Sequence, residues 1–454
     1  MIPKPHQLEG AKFLAERKYA LLADLPRVGK TGSSIMAADY VAAENILVVT
    51  TASGRGVWKA GFPAWSAFPR KIQVLTGSER LRPDTNVAIV GWGALTQNAR
   101  MAELLSRQWD LIIPDEAHNA KNFEAKRTQA LFGELPLPNA FVAPLNRGKA
   151  LSAKAERCWL LTGTPLPNSP ADAYPMLRTL WPERLTTQYG PTDVTKQADF
   201  IERYCKMRPM KIGHGWAART IRVFVEGRNL DELNARMQGV YLQRTQKDVG
   251  IIEPEYETMP LISPKALPPE LREVRHAKDI LAAAQAGDGK RLEIHMGPLR
   301  RITGMLKAEL VADAVREELD AGLDKIVLAY WHTDVGAALM EKLQKYGVTG
   351  IDGSTPGKAR TVNEQRFLRD PKCRVFLAQI QAAGEAIDLS SARNLIFVEA
   401  SMVPKDMAQM AFRVTNHGQK NRPLVRVATL EGSIDDALQN ILLRKWTAIR
   451  QVLK

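Results

Sequence analysis

Short apolar runs alternate with amphipathic stretches in two separate regions of the chain. In the first, ILVVT at 46–50, VAIV at 87–90, residues 111–113 and WLLT at 159–162 read as strands; in the second, IVLA at 326–329, VFLA at 375–378, LIFV at 395–398 and VRVA at 425–428 do so. Runs this short fit buried helix segments too, but their β-branched content and flanking turn residues favour strands. Strands separated by helical patterns imply βαβ units and parallel sheets, hence an α/β fold. Between about 171 and 307 the pattern changes. Residues 230–237 and 271–286 carry helical periodicity, interrupted by SPKALPPE at 263–270 and AGDG at 286–289, of which the Gly-rich piece reads as a flexible hinge or loop. The chain closes on a predicted docked helix. Ser433 and Asp436 have capping-box spacing, and Ile434, Leu438, Ile441, Leu442, Ile449 and Val452 form its apolar stripe.

Length and composition narrow the class. At ~150 residues per domain, 454 residues make two or three domains. Hydrophobic residues at 45% and charged residues at 25% exclude a disordered or fibrous chain. No apolar run approaches the ~20 residues that span a bilayer, so no membrane partner is expected. The start, MIPKPHQLEG, lacks the basic region and apolar stretch of a secretory signal. Cys158, Cys205 and Cys373 lie far apart without CxxC spacing, which argues against a disulfide framework or zinc site and for a reducing cytoplasm. Lys plus Arg number 63 against 49 Asp plus Glu, a net charge of +14. That excess serves solubility or a polyanionic partner, and charge alone leaves both open.

Two motifs carry chemistry. In LLADLPRVGKT at 21–31, an apolar run enters a loop ending Gly29-Lys30-Thr31 and then a helical stretch. That is the setting of a phosphate-binding loop, with backbone N–H groups facing phosphates, Lys30 as a point charge and the Thr31 hydroxyl on Mg²⁺. Alone, GKT fits a surface turn equally well, and Asp24 stands where the usual first glycine would be. In IIPDEAHNAKN at 112–122, apolar residues run straight into Asp115 and Glu116. Adjacent carboxylates at a strand end suit metal and water handling, Asp115 for Mg²⁺ and Glu116 for the proton of an attacking water. An isolated DE reads as a solvated loop; DEAH downstream of GKT does not.

With these motifs the sequence resembles the superfamily-two helicases, specifically the Swi/Snf-type double-stranded DNA translocases. Within them it is similar to the annealing-helicase branch and its compact phage-encoded relatives. Further matches are PHQ at 5–7 with Glu9-Gly10, NILVVTTASGRGVW at 45–58, VGWGAL at 90–95, and the long WLLTGTPLPNSPADAYPMLRTLWP at 159–182. FIERYC at 200–205, GRNLDEL at 227–233, RTQKDV at 244–249, IDGSTPGKAR at 351–360, AAGEAIDLSSA at 382–392 and PKDMAQMAFRVTNHGQ at 404–419 extend the resemblance over nearly the whole chain. The resemblance implies two RecA-like P-loop lobes with parallel sheets, joined by a helical insertion. Residues 1–262 would form the first lobe, with a helical protrusion from about 171. Residues 263–300 would be linker helices, and 301–454 the second lobe with its C-terminal helix.

It also implies roles. Gln7 would read adenine; Gly29, Lys30 and Thr31 would hold ATP and Mg²⁺ together with Asp115; Glu116 would orient water. Arg413 would supply charge to the γ-phosphate. His118, Gly163, Thr164 and Gln419 would couple hydrolysis to movement. DNA contacts would come from Ser53, Arg55 and Trp92 in the first lobe and from Ser354, Lys358, Arg360 and Gly384 in the second. A phosphate backbone can be gripped by such hydroxyl, amide and basic groups without base reading, so the implied partner is double-stranded or branched DNA of any sequence. The protein is expected to be a monomer in the cytoplasm, a bacterial host's if phage-encoded.

Three departures from the family pattern stand out. Arg27 occupies a usual glycine position in the phosphate loop, with Pro26 before it. Ala386 and Asp388 replace a usual glycine and asparagine. Asn416 stands where a second arginine is usual, and a neutral amide cannot make a charge-assisted fork to phosphate. The basic run at 205–222, with Lys206, Arg208, Lys211, Arg219 and Arg222 near Trp216, reads as a duplex contact or as a solvated loop. The expected function is ATP-driven translocation on duplex DNA in replication, recombination or repair. A strand-separating helicase and a nucleotide-gated DNA-binding protein with weak hydrolysis remain alternatives.

Overall fold

A computed structural model describes residues 2–52, 54–133, 150–163, 165–166, 169–212, 219–263, 289–383, 387–401, 404–415, 421–433 and 435. Contacts divide it into two compact units. The first comprises Met1–Cys205 with Gly227–Val249, the second Lys206–Glu226 with Gly250–Ala448.

The first unit is built on seven parallel strands: β1 (Tyr19–Leu22), β2 (Ile46–Thr50), β3 (Ile72–Val74), β4 (Val87–Gly91), β5 (Trp109–Pro114), β6 (Ala155–Leu161) and, after the hairpin described below, the two-residue strand Tyr241–Leu242. Their spatial order is β3-β4-β2-β5-β6-β1 followed by Tyr241–Leu242. Strands buried on both faces read as near-continuous apolar runs, which is why ILVVT is fully buried as β2. Alternate residues Ala20, Leu22, Ile46, Val48, Ile89, Leu111, Ile113 and Trp159 face a core closed by three helices. These are α1 (Pro5–Ala15), α2 (Lys30–Tyr40) and α3 (Gly54–Trp65). Pro5 opens α1 at the one helical position where a missing N–H costs nothing. Because all neighbours run parallel, the loops after β1, β2, β4, β5 and β6 leave at one edge of the sheet.

Helices α4 (Asn98–Leu105), α5 (Lys126–Phe132), α6 (Tyr174–Leu180), α7 (Gln197–Tyr204) and α8 (Leu230–Met237) complete this unit. The segment 184–192 is held to α8 by Arg236, which is wholly buried. Its guanidinium donates to Glu232 and to the carbonyls of Arg184 (2.7 Å), Thr186 (2.8 Å) and Thr192 (2.6 Å). The basic run at 205–222 lies largely in a two-stranded sheet, β7 (Cys205–Ile212) and β8 (Arg219–Gly227), and not in a loop. Trp216 lies outside the described residues.

The second unit has six parallel strands. With Tyr241–Leu242 as β9, they are β10 (Glu255–Leu261), β11 (Ile326–Tyr330), β12 (Val348–Ile351), β13 (Val375–Gln379), β14 (Asn394–Phe397) and β15 (Leu424–Leu430), in the order β10-β15-β14-β11-β13-β12. Helices α9 (Gly289–Asp320) and α10 (Thr333–Leu343) cover one face of the sheet. The other face packs Phe367 of α11 (Gly357–Arg369), the turn α12 (Ile380–Ala383), and Met407 and Met410 of α13 (Pro404–Ala411). A boundary at 262 put 255–261 with the first lobe. Its register against Leu424–Leu430 puts it at the edge of the second sheet instead. The strand EYETMPL is mostly solvent-exposed and polar, with Pro260 tolerated at an edge. The expected helices at 271–286 and after 433 fall on residues outside those described, apart from 435. Among the described residues no helix is long and apolar enough to cross a membrane.

Candidate active site

The loop between β1 and α2 is braced from three directions. Gly29 caps α2 in a left-handed conformation, φ 112°, and a Cβ there would run into Nε2 of Gln7. Gln7 therefore lies directly on the loop, its Oε1 accepting the N–H of Lys4 at 3.0 Å. His6 Nε2–H donates to the Val28 carbonyl at 2.9 Å, and burial lowers its pKa. From β9 onward, Arg244 forks onto the fully buried Asp24, Nε to Oδ1 at 3.0 Å and Nη2 to Oδ2 at 2.6 Å. Gln246 Nε2 donates to the Pro26 carbonyl at 2.7 Å. The aspartate in place of the loop's usual first glycine is thus an anchor. Lys30 Nζ donates to the Asp24 carbonyl at 2.7 Å. Arg27 takes φ 73°, the left-handed region its usual glycine enters without cost.

The carboxylate pair follows β5. Asp115 Oδ2 accepts the Thr50 hydroxyl and the Trp58 indole N–H, each at 2.8 Å. Burial and then the negative charge of Glu116 push its pKa up to about 6, against the pull of Trp58, Thr50 and Lys30. Glu116 sits at φ 53°, left-handed for a non-glycine residue. Its Oε2 lies 3.2 Å from His118 Nδ1, which is also 2.9 Å from Thr162 Oγ1. Thr162 precedes Gly163, where a Cβ would stand 2.9 Å from Pro26 Cδ. His118 and Gly163 therefore connect the carboxylates, the end of β6 and the phosphate loop.

This arrangement fits a nucleotide and a hard cation. No side chain caps the start of α2, so an anion is favoured at its first turn beside Lys30. A divalent cation would relieve the raised Asp115, and carboxylate plus hydroxyl oxygen suits Mg²⁺. Among the described residues no group of three or more His, Cys, Asp or Glu could hold a metal ion.

At the same edge Arg55 and Trp92 line one cavity of about 410 Å³. In the second unit, Ser354 and Lys358 are exposed around the start of α11, where Ser354 Oγ donates to Asp352 at 2.8 Å. Arg360 points back into the fold, donating to the carbonyls of Thr355 (3.0 Å), Ala382 (2.8 Å) and Asp352 (3.2 Å). Arg413 Nη1 lies 3.5 Å from the Ile387 carbonyl. Ser53, Thr164, Gly384, Ala386, Asn416 and Gln419 lie outside the described residues. Sequence reasoning assigned no role to Thr50, Trp58, Asn119, Thr162, Arg244 or Gln246. All six lie inside motifs of the sequence, at 45–58, 112–122, 159–182 and 244–249.

The SNF2-related domain matches residues 6–302, more than half of the chain, and the helicase conserved C-terminal domain matches 308–418. The chain belongs to the SNF2-related family. SNF2-related proteins are DNA-dependent ATPases of helicase superfamily two. The chain is 26% identical over 459 residues to the DNA annealing helicase and endonuclease ZRANB3 of Mus musculus, covering 97% of this chain and 40% of that protein. It is likewise 26% identical to the SWI/SNF-related matrix-associated actin-dependent regulator of chromatin subfamily A-like protein 1 homolog of Caenorhabditis elegans, covering 99% and 61%. The chain thus spans less than two thirds of either relative. The Sulfolobus solfataricus SWI2/SNF2 ATPase core in complex with dsDNA aligns with a TM-score of 0.44 and 18% identity, covering 100% of this chain and 97% of that one. The SNF2-related match takes in the phosphate loop and carboxylates, and the helicase C-terminal match takes in Ser354, Lys358, Arg360 and Arg413.

Proposed function

We propose that the chain is an ATP-driven translocase on double-stranded or branched DNA, serving replication, recombination or repair. The observation that carries this reading is the meeting of the Lys30 loop with Asp115, Glu116 and His118 at one sheet edge, in a chain of the SNF2-related family. Gln7 would select adenine, and Gly29, Lys30 and Thr31 would hold the phosphates. Thr31 and Asp115 would hold Mg²⁺, which when bound neutralises phosphate charge. Glu116 would take the proton of the attacking water as the bond between the β- and γ-phosphates breaks, giving ADP and phosphate. Arg413 of the second unit would add positive charge at the γ-phosphate. His118, with Gly163, Thr164 and Gln419, would pass the state of the nucleotide to the rest of the chain. Arg55, Trp92, Ser53, Ser354, Lys358 and Gly384 would follow a backbone without reading bases, with Arg360 bracing the start of α11 through its three carbonyl bonds.

The test is phosphate release with no DNA and with duplex, single-stranded and forked DNA. Duplex and forked DNA should raise turnover, Lys30→Ala should abolish it, and Glu116→Gln should abolish it while ATP still binds. Wild-type turnover by Glu116→Gln would overturn the catalytic assignment. No turnover on any DNA would favour the nucleotide-gated binding protein.

A further inference from the structure

The cavity at the strand ends has an inner wall with bonds that the reading above leaves unused. Its volume is about 410 Å³, and its lining includes Thr51, Arg55, Trp92, Gln97, Arg100 and Asn119. Two of these reach the main chain of the carboxylate pair. The Trp92 indole, 5% exposed, donates its Nε1–H to the carbonyl of Asp115 at 2.9 Å. The half-buried Asn119 donates Nδ2–H to the carbonyl of Glu116 at 2.9 Å, and its own backbone N–H reaches the same oxygen at 3.0 Å. The peptide groups of both residues are therefore held from the cavity side, while Asp115 Oδ2 is held from Thr50 and Trp58.

The hold matters because Glu116 sits at φ 53°. An L-residue there bears a steric cost, which persists only where the surroundings enforce it. The carbonyl clamp of Asn119 is such an enforcement. Arg55 with Thr51 and Gln97 gives the cavity positive charge and hydrogen-bonding groups that a phosphodiester backbone accepts, while the Arg100 guanidinium is paired with Glu103 and donates to the carbonyls of Gly77 (3.2 Å) and Glu79 (2.6 Å).

We propose that Trp92 and Asn119 are positioning residues that tie occupancy of this cavity by a phosphate backbone to the pose of Asp115 and Glu116. A backbone pressed on the Trp92 ring or the Asn119 amide shifts the carbonyl each one holds. By reciprocity, a nucleotide that requires one Glu116 pose changes the affinity of the cavity by the same factor. The inference rests on the reading of the chain as a duplex-binding ATPase.

The experiment is fluorescence anisotropy of a labelled mixed-sequence duplex, with and without Mg²⁺ and a non-hydrolysable ATP analogue. The ratio of the two Kd values is the coupling. For the wild type it should differ from one by at least about fivefold. Trp92→Phe and Asn119→Ala, each losing one side-chain hydrogen bond, should each bring it about two- to tenfold nearer to one. A merely structural role would lower the thermal midpoint and leave the ratio at its wild-type value, which overturns the inference. Should Trp92→Phe fail to fold, Asn119→Ala on its half-exposed side chain decides alone. A wild type that binds duplex with a ratio of one overturns the inference only. A wild type that binds no duplex in any nucleotide state overturns the functional reading and the inference with it.

Discussion

Replacing Arg244 with alanine should loosen the phosphate loop from 220 residues away in sequence. Arg244 makes two hydrogen bonds to the fully buried Asp24 carboxylate, one to Glu9 at 3.1 Å, and one to the His6 carbonyl. The Glu9 side chain is 66% exposed, so that pair adds little. The Asp24 fork dominates, because removing one partner of a buried pair leaves an uncompensated charge and costs about 3–5 kcal/mol. At 1.4 kcal/mol per factor of ten, that is on the order of a hundred- to a few-thousandfold in the opening equilibrium of the loop. The local reporter is amide hydrogen exchange. Ala23 N–H bonds to the Leu242 carbonyl at 2.7 Å, Leu25 to Arg244 at 3.0 Å and Val28 to Leu25 at 3.3 Å. Protection of these three amides should fall by that factor, provided they open locally in the wild type, and ATP affinity should fall with it. Asp24→Asn in the Arg244→Ala background should recover much of the loss by removing the stranded charge. Wild-type exchange of residues 23–28 in Arg244→Ala would refute the claim that this fork holds the loop.

In the nucleotide-free protein Asp115 carries a folded pKa raised from 3.8 to about 6, so its stabilising contribution is full below about 4 and is lost as pH rises through about 6. Asp115→Asn should therefore raise the thermal midpoint at pH 8, and the gain should shrink toward pH 4; a gain independent of pH contradicts this. Gly163→Ala places a methyl 2.9 Å from Pro26 Cδ and should slow turnover and destabilise by about 1–3 kcal/mol, read by phosphate release and thermal melts, while an unchanged variant would contradict the close packing of that loop. Arg413→Ala should lower DNA-stimulated turnover by roughly a thousandfold while ATP still binds, and a harmless substitution would remove Arg413 from the reaction.

The fold was legible where burial is two-sided. Strands such as β2 and β13 announce themselves as unbroken apolar runs because helices cover both faces of their sheets. EYETMPL was not legible as β10, because an edge strand with an exposed polar face lacks that signal. The basic run at 205–222 likewise hid two strands behind its charge. Lys30, Asp115, Glu116, His118 and Gly163 were readable because each motif is contiguous and sits at a strand end. Their supports were not. Arg244 meets Asp24 across 220 residues, and Trp92 meets Asp115 across 23, pairings that only the parallel order of the strands creates. Arg360 shows the converse, since its place in a motif suggests a DNA contact while its guanidinium is engaged by three carbonyls of its own unit.

Displacement of a third strand from a DNA triplex tests translocation most directly. With ATP and Mg²⁺ the wild type should release the third strand from a triplex on a duplex track, at a rate that follows its turnover, and should leave a blunt duplex wound. Glu116→Gln, binding ATP without hydrolysing it, should release none. Release by Glu116→Gln, or turnover by the wild type on the same DNA without any release, would contradict an ATP-driven translocase.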